Sequence, residues 1–204
     1  MEQAIPIHLA VEDPLSEAML RAILLHSGRS YTVGSCYSRG GNGYLKKTID
    51  GFNQGAKGCP FLVLTDLDRG PCAPGLITEW LAGPKHPNLL FRVAVRAVES
   101  WVLADRGAFG AFIGVDGSRI PADTDGLEDP KQFLVSLVSR SRNRDLRAAI
   151  VPRKGSTAKQ GPDYNRPLIE FIQGKWRAQR AATASQSLRR AFEAVRLFQQ
   201  TAVR

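Results

Sequence analysis

A five-residue run, Phe61-Leu62-Val63-Leu64-Thr65, narrows the choice of fold more than any other stretch of the chain. Pro60 bounds it on one side and Asp66 on the other. It is too short for an ordinary helix and is apolar without alternation, so it reads as a strand covered on both faces. A strand of that kind belongs to a parallel sheet with helices packed on either side.

The flanking sequence supplies the remaining elements. Residues 5–11 read as a short buried strand, and Asp13-Pro14 then offers a helix cap and a residue suited to a first turn. Leu15, Ala18, Met19, Ala22 and Leu25 recur at helical spacing until Gly28. Residues 31–37 form a second strand, 39–43 a glycine-rich turn and 44–52 a helix. Residues 75–81 read as helix, 89–95 as a fourth strand and 97–104 as helix. The expected class is α/β, a mostly parallel sheet flanked by helices, over residues 1–115. Residues 116–204 are expected to form a basic, mainly helical extension packed on that core. Within it, 117–129 and 152–162 read as loops, and 130–138, 167–173 and 177–183 as helices. Residues 185–203 read as an amphipathic helix, with Leu188, Ala191, Phe192, Val195, Phe198 and Ala202 on one stripe.

Charge divides the chain in the same way. The formal net charge is +9, but residues 1–139 hold 13 Lys+Arg against 15 Asp+Glu, and residues 140–204 hold 15 against 4. A basic surface beside an acidic site suits a polyanion, because neutralised phosphates supply most non-specific nucleic-acid affinity. The same charge also serves solubility. No apolar run approaches the length of a membrane span, and no basic segment followed by an apolar one opens the chain, so a soluble, cytoplasmic protein is expected. Cys36, Cys59 and Cys72 are odd in number and widely spaced, which fits neither a disulfide framework nor a zinc knuckle. His8, His26 and His86 show no metal-ligand spacing, and Trp80, Trp101 and Trp176 read as core anchors.

In sheets of this type ligands bind beyond the carboxyl ends of the strands. Glu12 follows the first expected strand, Asp66-Leu67-Asp68 the third, and Glu99 lies just past the fourth. Carboxylates one residue apart at a strand end point the same way and raise each other's pKa unless a cation lies between them. A hard divalent ion with oxygen ligands, Mg²⁺ or Mn²⁺, is the usual solution. Asp-x-Asp also occurs in plain surface turns, and Glu99 equally suits a helix start favoured by the helix dipole. Glu17 reads as an exposed helix residue. Arg69, Arg92 and Arg96 lie near these acids in sequence, where they could grip a phosphate or pair with carboxylates. Lys46 and Lys47 follow the glycine-rich turn, but the Gly-Lys-Ser/Thr ending of a P-loop is absent. The loop from Arg153 to Asn165 carries Lys154, Ser156, Thr157 and Lys159, with Gly155 and Gly161 permitting close backbone approach to a ligand.

Three stretches, Val11-Glu12-Asp13, Leu64-Thr65-Asp66-Leu67-Asp68-Arg69 and the segment from Val95 to Asp105 that holds Glu99 and Trp101, together resemble a Toprim-like family of unknown function. That family is related to the nuclease domains of the overcoming-lysogenization-defect proteins, and its members often have ATPase neighbours in bacterial defence loci. The resemblance extends over nearly the whole chain, including residues 185–190. It implies a Toprim-type site in which Glu12, Asp66, Asp68 and Glu99 are catalytic and hold Mg²⁺ or Mn²⁺. Many relatives have glycine after the first glutamate, whereas Asp13-Pro14 stands here and alters the turn that places Glu12 and Glu17. No tyrosine matches a strand-passing nucleophile, so topoisomerase activity is not expected.

The leading expectation is a Mg²⁺-dependent nucleic-acid phosphodiester hydrolase acting on DNA first, with the resemblance implying a place in anti-phage defence. Arg69, Lys154 and Lys159 are the expected backbone contacts. Two other readings stay open. One is a non-catalytic module with a vestigial acidic site that binds nucleic acid or a partner ATPase. The other is an enzyme handling a small nucleotide or phosphate substrate.

Overall fold

A computed structural model describes residues 4–38 and 40–201. Four strands, β1 (Ile5–Ala10), β2 (Tyr31–Tyr37), β3 (Phe61–Asp66) and β4 (Leu89–Ala94), form one parallel sheet in the order β2-β1-β3-β4. The α/β class read from the sequence is the observed one. The central run behaves as its composition requires. Leu62 and Leu64 enter the larger buried cluster on one face, while Phe61 and Val63 enter a second cluster on the other. Each such side chain taken fully out of water contributes roughly 1.5–3 kcal/mol.

Helix α1 (Pro14–His26) covers the first face and α2 (Gly41–Gly55) the second. The chain leaves β1 toward β2 on one side, returns over the sheet through α2, and enters β3 on the other side of β1. The strand order therefore reverses between β1 and β3, the point at which sheets of this type open a crevice. Helix α3 (Ala73–Trp80) lies with α2, where Trp80 packs on Phe91 at 5.8 Å between ring centroids.

The larger cluster continues without a break into the rest of the chain. It takes in α4 (Val98–Ala104), α5 (Arg106–Ile113), α6 (Pro130–Val138), α7 (Arg144–Ile150), α8 (Asn165–Gly174), α9 (Ala178–Ala181) and α10 (Gln186–Arg196). Trp101 and Trp176 are fully buried at its centre, and the Trp176 indole N–H donates to the Trp101 carbonyl at 2.9 Å. Both act as the core anchors expected of them.

Four details depart from the sequence reading. Gly41, Asn42 and Gly43 are the first turn of α2 rather than a turn before it, because Leu45, Ile49 and Phe52 must pack on the sheet and carry the helix back to Gly41; Arg39 lies outside the described residues. Leu25 is 76% exposed and does not share the buried stripe of α1. Helix α10 ends at Arg196, and Ala202 and Val203 lie outside the described residues. Helices α5 and α7 were not expected. In α5, a Cβ on Gly110 would come within 2.7 Å of the Val115 carbonyl oxygen, so the glycine serves a close backbone approach.

Candidate active site

The acids gather where the strand order reverses. Glu12 leaves the end of β1 and reaches across to β3. Its Oε1 accepts from the Thr65 hydroxyl and from the backbone N–H of Asp66 at 2.9 Å. Asp13 caps α1 by accepting from the Ser16 N–H at 2.8 Å, which fixes the turn out of β1 with proline in the position after the cap. Asp66 closes β3, and its Oδ1 accepts from the Val98 N–H at 2.9 Å, the first residue of α4. Ala97 has no side-chain cap of its own, so Asp66 serves as the cap from a neighbouring strand.

Asp68 stands on the exposed turn that follows, with φ 49°, a left-handed conformation that aspartate tolerates better than most residues. Its N–H donates to the Arg96 carbonyl at 2.8 Å, and the Arg96 guanidinium donates back to the carbonyls of Asp68 and Gly70 at 3.2 and 2.8 Å. Arg96 thus clamps this turn to the segment after β4. Asn42, in the first turn of α2, donates to Asp68 Oδ2 at 3.3 Å.

Glu99, in the first turn of α4, is only 2% exposed. Its Oε1 accepts from the Tyr164 hydroxyl at 3.1 Å and faces the Lys131 ammonium at 3.4 Å. Its Oε2 is buried with no hydrogen-bond partner. Such an atom costs about 1–3 kcal/mol, and more when charged, unless something else meets it.

Electrostatics bind these groups into one unit. Burial, then the nearby charges of Glu99, Glu12, Asp13 and Asp68, raise the Asp66 carboxyl well above the ordinary carboxylate range. Burial also raises Glu12, against the hydrogen bonds from Thr65 and Asp66 and with help from Asp68 and Asp13. Glu99 is raised by burial although Lys131 and Tyr164 pull it down. Burial pulls the Lys131 ammonium down, but Glu99 and Asp66 outweigh it and hold the group above its usual value. Burial and Glu99 push the Tyr164 phenol far up, so it is a hydrogen-bond donor and not a base.

A cleft of about 500 Å³ opens over this unit, lined by Asp66, Asp68, Arg69, Arg96, Glu128, Lys131 and Lys159 among others. Of the residues singled out in the sequence, Asp66, Asp68, Arg69, Arg96 and Lys159 line it. Glu12 and Glu99 do not line it but lie within electrostatic reach of Asp66. Lys154 does not line it, and Arg92 sits midway along β4, partly buried, with its Nε unpaired. Glu17 pairs with Arg21 at 2.8 Å on α1, and Lys46 with Glu79 at 2.6 Å, both away from the cleft. Lys131 and Tyr164 were not singled out. They come from α6 and from the turn before α8, and no local pattern marks them. The motif around Glu99 also meets residues 185–190: the Trp101 indole N–H donates to Ser187 Oγ at 2.7 Å, and Asp125 holds Ser185 and Ser187.

Among the described residues, no three His, Cys, Asp or Glu side chains are drawn tightly enough together to hold a metal ion as they stand. The chemistry of the donors nonetheless suits one. They are carboxylates, which hard divalent ions prefer, Asp66 is crowded by four other acids, and Glu99 offers a buried oxygen with no partner.

No family model matches the chain. No curated protein matches it either. Among solved structures, the chain is similar to the C-terminal region of the Burkholderia pseudomallei OLD protein, at 15% identity and a TM-score of 0.49, over 93% of this chain and 96% of that one.

Proposed function

We propose that the chain is a divalent-metal-dependent phosphodiester hydrolase of the Toprim type acting on nucleic acid. The observation that supports this reading is the place of Asp66, which ends β3 at the reversal point of a parallel sheet, lines the cleft with Asp68, and has Glu12 bonded to its own N–H and Glu99 within electrostatic reach. Asp66, Asp68 and Glu99 are the residues that would hold Mg²⁺ or Mn²⁺, with Glu12 beside them. A bound divalent ion supplies charge stabilisation at the attacked phosphate and a more acidic bound water.

The chain's own groups do the rest. Glu12, with its carboxyl raised by burial, takes a proton from the attacking water more readily than an ordinary glutamate. Lys131 remains an ammonium throughout the physiological range and offsets negative charge gathering over Asp66 and Glu99. Arg69 and Lys159, on the rim, hold the phosphates on either side. Tyr164 donates to Glu99 and keeps that carboxylate turned toward Lys131.

A second reading has one observation in its favour. Lys131 lies 3.4 Å from Glu99 and could serve as a built-in counter-cation, so that the site binds nucleic acid without cutting it. The two readings separate on one experiment. Plasmid and single-stranded DNA are incubated with the protein and Mg²⁺ or Mn²⁺, beside Asp66→Asn, which keeps an acceptor for the Val98 N–H. Metal-dependent nicking that falls to background in the variant supports hydrolysis. Binding without nicking under either metal supports the passive module.

A further inference from the structure

The proposed function leaves unexplained the positive charge gathered around α6 and α7. Residues 130–160 hold eight Lys+Arg and a single acid, Asp145. Two further concavities flank this region. One is lined by Arg119, Phe133, Ser136, Leu137 and Arg140, and the other by Ser139, Arg144, Arg147, Val151 and Arg153 among others. Helix α6 therefore touches three concavities. Its first residues, Pro130 and Lys131, line the acid cleft, its middle lines the second, and its C-cap Ser139 lines the third.

The loop after α7 joins the first and third of these. Arg153, at its start, lines the arginine concavity, and Lys159, near its end, lines the acid cleft. Gln132 of α6 donates to the Lys159 carbonyl at 3.0 Å, and the Gly161 N–H donates to the Ile150 carbonyl at 2.8 Å, so both the acid-cleft end and the return of the loop are tied down. Gly161 is fixed by space as well, since a Cβ there would fall 2.2 Å from the Ala149 carbonyl oxygen.

Arg119, Arg140, Arg144 and Arg153 are exposed, and among the described residues none of them, nor Arg147, lies within ion-pair distance of a carboxylate. Arg147 spends one N–H on the Ser141 carbonyl. Elsewhere in the same third of the chain arginines are paired, Arg166 with Asp163 and Arg180 with Asp105. Unpaired guanidiniums held close together repel, and an anion with regularly spaced charges relieves that repulsion over its whole length.

We propose that a nucleic-acid backbone entering the acid cleft continues along α6 and is held at its far end by Arg140, Arg144 and Arg153, with Arg119 and Arg147 at the edges. This rests on the reading of the cleft as a phosphodiester site, but it makes a separate claim about a binding tract outside that cleft. Helix α6 spans about 13 Å, roughly four base steps of a duplex strand at 3.4 Å each. The contacts are to phosphate, so the tract confers affinity and register rather than sequence choice.

The test measures equilibrium binding to a 20-nucleotide single strand and a 20-base-pair duplex, of DNA and of RNA, without divalent metal, over a series of salt concentrations. Because no cleavage is read, the result stands whether or not the protein hydrolyses anything. The triple variant R140Q/R144Q/R153Q should bind about tenfold or more weakly near 0.1 M salt, and its slope of log K against log salt should be shallower by about 3. A control with equal charge loss on other surfaces, K57Q/R189Q/R190Q, should change the slope by less than about 1. Circular dichroism confirms that both variants fold. The proposal is overturned by a wild-type slope in the triple variant, by equal losses in the control, or by polyglutamate competing as well as nucleic acid. Preference among the four nucleic acids identifies the substrate form.

Discussion

Two acids of one short helix meet opposite fates. Glu99 lies in the first turn of α4 and Asp105 follows its last residue, and both are almost fully buried, at 2% and 3% exposure. Asp105 has every need met. It accepts from the Arg177 N–H at 2.9 Å and takes a two-pronged grip from Arg180, whose Nε and Nη2 reach its oxygens at 3.0 and 2.8 Å. Glu99 has one oxygen shared between Tyr164 and Lys131 and one with no partner. The concavities beside them are of similar size, about 510 and 500 Å³. Size does not tell a structural acid from a functional one. Unmet polar demand separates Glu99 from Asp105, and on the proposed function that demand is what a bound cation would meet.

The largest effect separating the two is expected at the crowded site. On the proposed function, Mn²⁺ should raise the thermal stability of the wild type, and Asp66→Asn should abolish that rise and bring metal-dependent cleavage to background. That rise reaches about 2.7 kcal/mol at a metal concentration 100 times its dissociation constant. Asp105→Asn should leave both the Mn²⁺ response and the cleavage in place. If the Asp105 variant lost the metal response as completely as the Asp66 variant, the distinction drawn above would be wrong.

Stability should order the same residues the other way. Asp105→Ala leaves the Arg177 N–H without its acceptor and removes the grip on Arg180, whose side chain is 57% exposed and regains water. The expected loss is about 2 kcal/mol in denaturant unfolding, toward the lower end for a broken buried pair because one partner is solvated. Asp66→Asn should be neutral or stabilising in the absence of metal, since it removes one of five crowded charges.

That difference should depend on pH with a definite sign. The folded-state pKa of Asp66 is raised well above its unfolded value, by burial and by Glu99, Glu12, Asp13 and Asp68. The neutral form is therefore favoured in the folded state. Its contribution to stability is full below the ordinary carboxylate range, near pH 4, and is lost as pH rises through the raised value. In metal-free buffer the wild type should lose stability relative to Asp66→Asn as pH rises from about 4 to neutrality. Adding Mn²⁺ at neutral pH should close the gap. A gap that widened toward low pH would mean that Asp66 is stabilised as a carboxylate by groups other than a cation.

The sequence displayed half of this contrast. Asp66 and Asp68 were legible because their cause is local: an apolar run that must be a buried strand ends on them, and parallel topology puts strand ends at the crevice. Glu12 and Glu99 followed from the same rule applied to β1 and β4. What the sequence did not display was which buried acid would be satisfied. Glu99 and Asp105 sit in one motif, Val98-Glu99-Ser100-Trp101-Val102-Leu103-Ala104-Asp105, and nothing near them says that Arg180 reaches one while Lys131 and Tyr164 reach the other. Those partners arrive through packing of α6 and α9 on α4 and through the turn before α8, contacts between residues dozens of positions apart. Tertiary demand overrode local signals elsewhere too, as when the glycines at 41 and 43 were drawn into α2 by the apolar side chains that follow.

The smallest effect gives the finest test of the contrast. Tyr164→Phe removes one of the two donors on Glu99 Oε1 and leaves Lys131 in place. A hydrogen bond to a charged group contributes about 1.5–3 kcal/mol, but Lys131 remains and the carboxyl can escape by binding a proton, so a loss of about 1 kcal/mol is expected. The phenol lowers the Glu99 pKa, and without it the carboxyl should titrate higher still. The cost of the substitution should therefore grow as pH rises and Glu99 is forced to ionise, and shrink toward acid. Equal destabilisation at pH 5 and pH 8 would mean that Tyr164 only fills space. A cost that grows with pH, and that Mn²⁺ removes at pH 8, would show that Glu99 is held as a carboxylate awaiting a cation, which is the property Asp105 lacks.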